Sequence, residues 1–171
     1  KFQNIKVCYY CHKKASMIHH IDETHENWLL TNLVPICDSC HQKVHRWVKT
    51  PFITLAKQFS FNSAHHLIEY EGPCQNNHGH QYFLKIFIKQ RINPITGLVM
   101  DYKELKNIYQ EHIHKVIDHK DLNEVTDVKK TSAENLLLWI WKQLEEKALL
   151  KGLVKLELKE TDTSFAEFID K

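Results

Sequence analysis

The sequence predicts an α+β protein in two parts, an antiparallel sheet with two helices on one face, preceded by a small zinc-stabilised ββα module. Three observations carry this. Two Cys-x-x-Cys pairs, Cys8/Cys11 and Cys37/Cys40, stand 25 residues apart, a spacing that suits a tetrahedral zinc site, and the odd fifth cysteine, Cys74, argues against a disulfide framework. HQYFLKIFIKQ, residues 80–90, alternates apolar and polar through Tyr82, Leu84, Ile86 and Ile88, as a half-buried strand does. Two later segments repeat apolar residues at helical spacing.

With 171 residues, 43% of them hydrophobic, and only four Gly and four Pro, the chain is globular, one domain plus a small appendage. Net charge is +2. Residues 1–50 hold seven Lys and Arg against four Asp and Glu, a mild basic bias that permits nucleic acid there without demanding it. No signal peptide and no apolar run approaching the roughly 18 residues of a membrane helix is present. Unpaired cysteines and zinc spacing together place the protein in a reducing cytoplasm, with no membrane partner.

Taken in order, residues 1–14 are extended and lead into a Cys8-Tyr9-Tyr10-Cys11-His12 knuckle. Residues 17–21 form a strand, 22–27 a loop, and 28–36 a second apolar element before the second knuckle. From 38 to 48 no helix breaker occurs, and His41/His45 and Val44/Val48 fall at i, i+4, so a helix follows. Thr50-Pro51 marks a seam, because the residue before proline leaves helical conformation; the domains are 1–50 and 51–171. Residues 52–66 and 80–91 are strands. The turn-forming Asn93-Pro94-Ile95-Thr96-Gly97 makes 80–102 a hairpin closing on Leu98, Val99 and Met100. Residues 102–117 are helical through Leu105, Ile108, Tyr109, Ile113 and Val116, with Asp101 as entry. A second helix starts at Thr131 or Ser132 with Glu134 in its first turn, a helix-dipole acid given no catalytic role. Gly152 ends it, and 153–160 is a last strand.

The chemistry centres on 59–82, FSFNSAHHLIEYEGPCQNNHGHQY. His78 and His80, two apart on a strand, face the same way, and His65 adds a third nitrogen from a neighbouring strand. Three imidazoles with a fourth position open are the ligands of a catalytic zinc. Cys74 beside them is a candidate general base or nucleophile.

Residues 52–171 resemble the 6-carboxytetrahydropterin and 6-pyruvoyltetrahydropterin synthase family. FNSAHHL, Cys74 with HGHQY, GLVMDY, DHKDLN, TSAEN and KET carry the resemblance, in order. It implies a tunnelling fold, in which subunits join their sheets into a barrel, and a homo-oligomer built on trimers, up to a hexamer. It implies 7,8-dihydroneopterin triphosphate as substrate, zinc on His65, His78 and His80, Asp118 with His119 as a second proton-transfer pair delivered from another subunit, and Glu160 as pterin anchor. The motif selects His65 over its neighbour His66. Cys74 lies three residues short of His-Gly-His, which is similar to the carboxy branch of queuosine and deazapurine synthesis. The product implied is 6-carboxytetrahydropterin with loss of triphosphate and acetaldehyde, with the pyruvoyl product as alternative.

Residues 8–45 resemble HNH endonucleases of the four-cysteine kind. The resemblance implies a structural zinc on Cys8, Cys11, Cys37 and Cys40, His20 as general base supported by Asn32, and a divalent cation, Mg or another, on His19, His41 and His45. Lys13, Lys14, Lys43, Arg46 and Lys49 are then phosphate contacts. The competing reading is a zinc module that only docks protein or holds nucleic acid; another makes the pterin-synthase fold the scaffold or sensor of a nuclease.

Overall fold

The computed structural model describes residues 7–20, 26, 28, 33–45, 50–93, 95–146 and 150–170. The chain divides into two compact units. One joins the residues up to Phe52 with Arg91–Val99; the other comprises Ile53–Gln90 and the residues from Met100 onward.

In the first unit, β1 (Met17–His20) pairs antiparallel with β2 (Leu33–Ile36), placing Met17 opposite Ile36 and His20 opposite Leu33. Helix α1 (Asp38–His45) follows. Its core is Cys8, Ile36, Cys40 and Val44, with Tyr10 and Ile95 packed against it. So small a core, half of it thiol, cannot offset the conformational entropy of folding by apolar burial alone. Ile95 arrives from the middle of the chain. That segment is tied in where Arg91 Nη1 donates to the Thr50 carbonyl at 2.5 Å and Thr50 Oγ1 donates to that of Ile92 at 3.1 Å.

The second unit contains β3 (Phe52–His65), which enters from the first, β4 (His78–Arg91), α2 (Tyr102–Tyr109), α3 (Lys115–Ile117), β5 (Lys120–Asp121), α4 (Leu122–Val125), α5 (Ala133–Glu146), β6 (Leu153–Lys159) and β7 (Phe165–Ile169). Its strands run β5-β3-β4-β6-β7. The expected all-antiparallel sheet is corrected here: β5 pairs parallel with β3, Ser63 opposite Lys120 and Ala64 opposite Asp121. Two residues are too few to show a period.

The expected 80–102 hairpin is also corrected. The Asn93–Leu98 turn closes, with the Asn93 amide donating to the Leu98 carbonyl at 2.9 Å, but no strand follows it. β4 instead lies between β3 and β6 and pairs antiparallel with β6, with Leu84 opposite Leu158 and Ile86 opposite Leu156. All four are fully buried, whereas Leu98 is half-exposed. Burial at roughly 1.5–3 kcal/mol per aliphatic side chain outweighs a nearby turn signal.

Tyr82, Leu84, Ile86 and Ile88 of β4 are buried, as are Leu105, Tyr109, Ile113 and Ile117 of the α2–α3 run and Leu136, Leu137, Ile140 and Leu144 of α5, which packs on β6 and β7. The opposite sheet face holds polar pairs such as Lys85–Glu157 at 2.7 Å. Asp101 caps α2, accepting the Lys103 amide at 2.7 Å. One π-helical turn, Gln110–His114, interrupts the predicted 102–117 helix. Ser132 caps α5, its carbonyl accepting the Leu136 amide at 2.9 Å. Gly152 has φ +79, and a Cβ there would lie 2.6 Å from the Lys89 carbonyl, so glycine is required. Among the described residues no helix is long and apolar enough to cross a membrane.

Candidate active site

His78 and His80 project from one face of β4, and His65 ends the adjacent β3. Their ligand nitrogens all lie within 4.8 Å of one another. His65 is 2% exposed. Its Nδ1 donates to the Thr131 carbonyl at 2.6 Å, and His78 Nδ1 donates to that of Asn76 at 2.7 Å. A protonated Nδ1 leaves the Nε2 lone pair free, the tautomer a metal ligand needs. Burial holds the His65 imidazole below its ordinary pKa, outweighing the Thr131 carbonyl and the Glu160 charge, so the ring is neutral at pH 7. His65 Nε2 is buried with no hydrogen-bond partner. It lies 3.5 Å from Glu160 Oε1. An orphaned nitrogen aimed at two more imidazoles is what a zinc ion of open coordination would satisfy, so the residues fit the metal. His66 borders another hollow, and its backbone amide donates to Asn123 Oδ1 at 2.9 Å.

Beside the histidines is a cavity of about 300 Å³ lined by His65, Cys74, Glu134, Glu160, Ser164 and Phe165, among others. Cys74 is thus brought to His65 by the loop between β3 and β4, where the Leu67 amide donates to its carbonyl at 2.8 Å. Tyr82 donates to Glu160 Oε1 at 3.2 Å. Burial, then the Glu160 charge, pushes that phenol far above its ordinary range, so it stays a donor.

The cavity also includes Glu134, to which the sequence assigned only a place beside the helix dipole. The Ser132 hydroxyl, then a backbone amide, holds its carboxyl below the usual range. Only the fold turns the first turn of α5 toward the histidines; the one sequence signal was TSAEN standing as a unit.

Asp118 and His119 are brought together but not to Cys74. His119 Nδ1 donates to Asp118 Oδ2 at 2.7 Å, and His119 borders a different hollow with His80, Asn62 and Asp121. His119 adopts φ 55, an uncommon left-handed conformation for this residue, fixed by its amide on the Asn62 carbonyl at 2.6 Å. Burial would raise the Asp118 carboxyl, but the Asn62 amide, His119 and His114 together bring it below its usual value. His114 stands 3.5 Å from Asp118 Oδ2, a partner the sequence did not single out.

In the first unit, the four sulfurs of Cys8, Cys11, Cys37 and Cys40 converge within 4.8 Å, as do ring nitrogens of His19, His41 and His45. His41 and His45 touch through Nε2 at 3.0 Å. Burial alone would raise the Cys8 thiol, but the Cys37, Cys11 and Tyr10 amides bring it down to about 6. Desolvated Cys40 is pushed up to about 12. Four thiols so placed ionise together only around a cation. His20, on the opposite face of β1 from His19, packs edge-on against Trp28 at 4.9 Å between ring centres. Asn32, Arg46 and Lys49 lie outside the described residues.

The 6-pyruvoyl tetrahydropterin synthase family profile matches residues 54–170. The chain belongs to that family. It is 34% identical over 116 residues to the 6-carboxy-5,6,7,8-tetrahydropterin synthase of Synechocystis sp., covering 66% of this chain and 89% of that one. It is 33% identical over 129 residues to the 6-pyruvoyl tetrahydrobiopterin synthase of Dictyostelium discoideum, covering 68% and 95%. The structure of Caenorhabditis elegans 6-pyruvoyl tetrahydropterin synthase superposes with a TM-score of 0.65 at 23% identity, over 71% of this chain and 98% of that one. The family match includes all three histidines, Cys74 and Glu160, and begins C-terminal to the four-cysteine cluster.

Proposed function

We propose that the second unit converts 7,8-dihydroneopterin triphosphate to 6-carboxy-5,6,7,8-tetrahydropterin, releasing triphosphate and acetaldehyde. One observation carries this: three imidazoles with converging ring nitrogens stand beside a cavity that also holds Cys74 and Glu160. Zinc on His65, His78 and His80 would supply Lewis acidity toward the hydroxyl and keto oxygens of the substrate side chain. Cys74 takes the proton from the carbon next to those oxygens. Glu160 accepts two parallel hydrogen bonds from the guanidine-like edge of the pterin, and Tyr82 steadies one of its oxygens. Asp118 orients His119 through Nδ1, leaving Nε2 to exchange a proton. Because His119 lines a separate hollow, the pair serves the Cys74 cavity of a neighbouring copy, which makes the working form a homo-oligomer. The family includes relatives named for both products, and the short Cys74-to-His78 spacing favours the carboxy product. Mass spectrometry of products from zinc-loaded protein tests the reading. 6-Carboxytetrahydropterin with acetaldehyde supports it, the pyruvoyl product moves the chain to the other branch, and no turnover with zinc bound sinks the enzyme reading.

For the first unit we read an HNH-type, metal-dependent nuclease, carried by the His19, His41, His45 convergence. His20 activates water, and Asn32 supports it. Cys8, Cys11, Cys37 and Cys40 hold a structural zinc. Three imidazoles without a carboxylate favour a transition cation over Mg²⁺. Lys13, Lys14 and Lys43 meet phosphates. Metal-dependent nicking of DNA that disappears in His20→Ala is the expected result; absence of nicking by the unmutated protein rejects it.

A further inference from the structure

His65 is the best buried of the three histidines, and a single hydrogen bond, from Nδ1 to the Thr131 carbonyl, sets its ring orientation. What holds that carbonyl in place therefore decides where Nε2 aims. Thr131 is itself fully buried. Its hydroxyl lies 3.1 Å from the His66 carbonyl and 3.2 Å from Asn123 Oδ1. Asn123 then grips the His66 backbone on both sides: the His66 amide donates to Oδ1 at 2.9 Å, and Nδ2 donates to the His66 carbonyl at 3.0 Å. An amide side chain is the only group of this size that can both accept and donate in this fork; a carboxylate would set oxygen against the His66 carbonyl. The brace continues to the next ligand. Asp121 Oδ1 accepts the Asn123 amide at 2.9 Å, and Asp121 Oδ2 accepts Asn77 Nδ2 at 3.0 Å. Asn77 lies between Asn76, whose carbonyl receives His78 Nδ1, and His78 itself.

We infer that Asn123 is a positioning residue for the three-histidine centre, acting with the Thr131 hydroxyl to fix the His66 backbone next to His65 and the Thr131 carbonyl that orients the His65 ring. It touches neither cavity nor imidazole; it does to the end of β3 what a neighbouring strand would do, at the point where the parallel pairing with β5 has ended at Ala64–Asp121. A ligand whose backbone is braced in this way loses less freedom on taking a metal. This rests on the reading of His65, His78 and His80 as metal ligands.

The test uses the full-length protein loaded with Co²⁺ or Zn²⁺, with chelator competition and the cobalt d–d spectrum as readouts. Thiolate-to-cobalt charge-transfer bands report the four-cysteine cluster, and a His41→Ala, His45→Ala background removes the other three-histidine set, so the His65, His78 and His80 centre is read by itself. Asn123→Ala and Asn123→Asp are expected to weaken metal at the histidine centre by about 10–100-fold, the range for outer-shell partners, and to alter its d–d bands. Thr131→Val should act in the same direction, and Thr131→Ser, which keeps the hydroxyl, should restore the spectrum and affinity. Folding is followed by circular dichroism, and the Thr131 pair keeps the test decisive if an Asn123 variant does not fold. Wild-type affinity and spectrum in folded Asn123→Ala, or in folded Thr131→Val, overturn the inference. His80→Ala separates the two failures: if it loses no metal relative to wild type, the ligand reading itself falls and the inference with it.

Discussion

The two histidine triads use the same donors on different supports. In the second unit, His65 and His78 come from 14-residue strands, their Nδ1 atoms fixed to backbone carbonyls, above a core that includes Tyr82, Leu84 and Ile86. In the first unit, His19 sits on a four-residue strand and His41 and His45 on an eight-residue helix, and the latter two rings meet each other. Apolar burial preorganises one triad before any metal arrives; the other depends on a four-residue core, two of whose members are thiols. A ligand set is thus only as rigid as the energy source of the element that carries it.

Zinc removal should break the comparison most visibly. A strong chelator, or Cys40→Ser, is expected to unfold the first unit while the five-stranded sheet persists, because a structural zinc contributes roughly 10–16 kcal/mol to so small a fold. Limited proteolysis and amide exchange check this; loss of protection in β4 and β6 would show that the second unit also needs metal. Cys74→Ala comes next, with pterin turnover falling by about 10²–10⁴ and zinc content unchanged, measured by product formation and metal analysis. Ile95→Ala probes the borrowed contact in the first unit. It should destabilise that unit by about 1–2 kcal/mol, below the range for fully buried sites because Ile95 is only half-buried. The chelator concentration that releases zinc from the four cysteines is the readout. The smallest effect is on pH. The folded-state pKa of Asp118 lies below its unfolded value. Its contribution to stability is therefore complete above the unfolded value of about 3.9 and is lost as pH falls through the lower folded one. The melting-temperature gap between wild type and Asp118→Asn should narrow in acid; a constant gap contradicts the assignment.

Much of the site was legible because period-two and i, i+4 spacings are local geometry. His78 and His80 share a face in any strand, and His41 and His45 in any helix. The Cys-x-x-Cys pairs announced their own convergence. Glu134 and His114 were not legible as neighbours of Cys74 and Asp118, because a helix residue's surroundings depend on what its helix packs against. For Asp118–His119 it was the family resemblance, not local spacing, that implied delivery from another subunit.

By itself the sequence determined which segments are strands and which are helices in β3, β4, α2 and α5, that α2 is entered at Asp101 and α5 at Thr131 or Ser132, and which side chains share a face. All of that is decided within a few residues by backbone sterics and apolar period. Tertiary structure alone decided that β4 pairs with β6 instead of folding back through Asn93–Leu98, that β5 runs parallel to β3, that Arg91–Val99 belongs with the cysteine unit, and that Asn123 braces the backbone beside His65. These choices are made by burial and hydrogen bonding between residues far apart in the chain, and no local pattern records which distant partner offers the better burial.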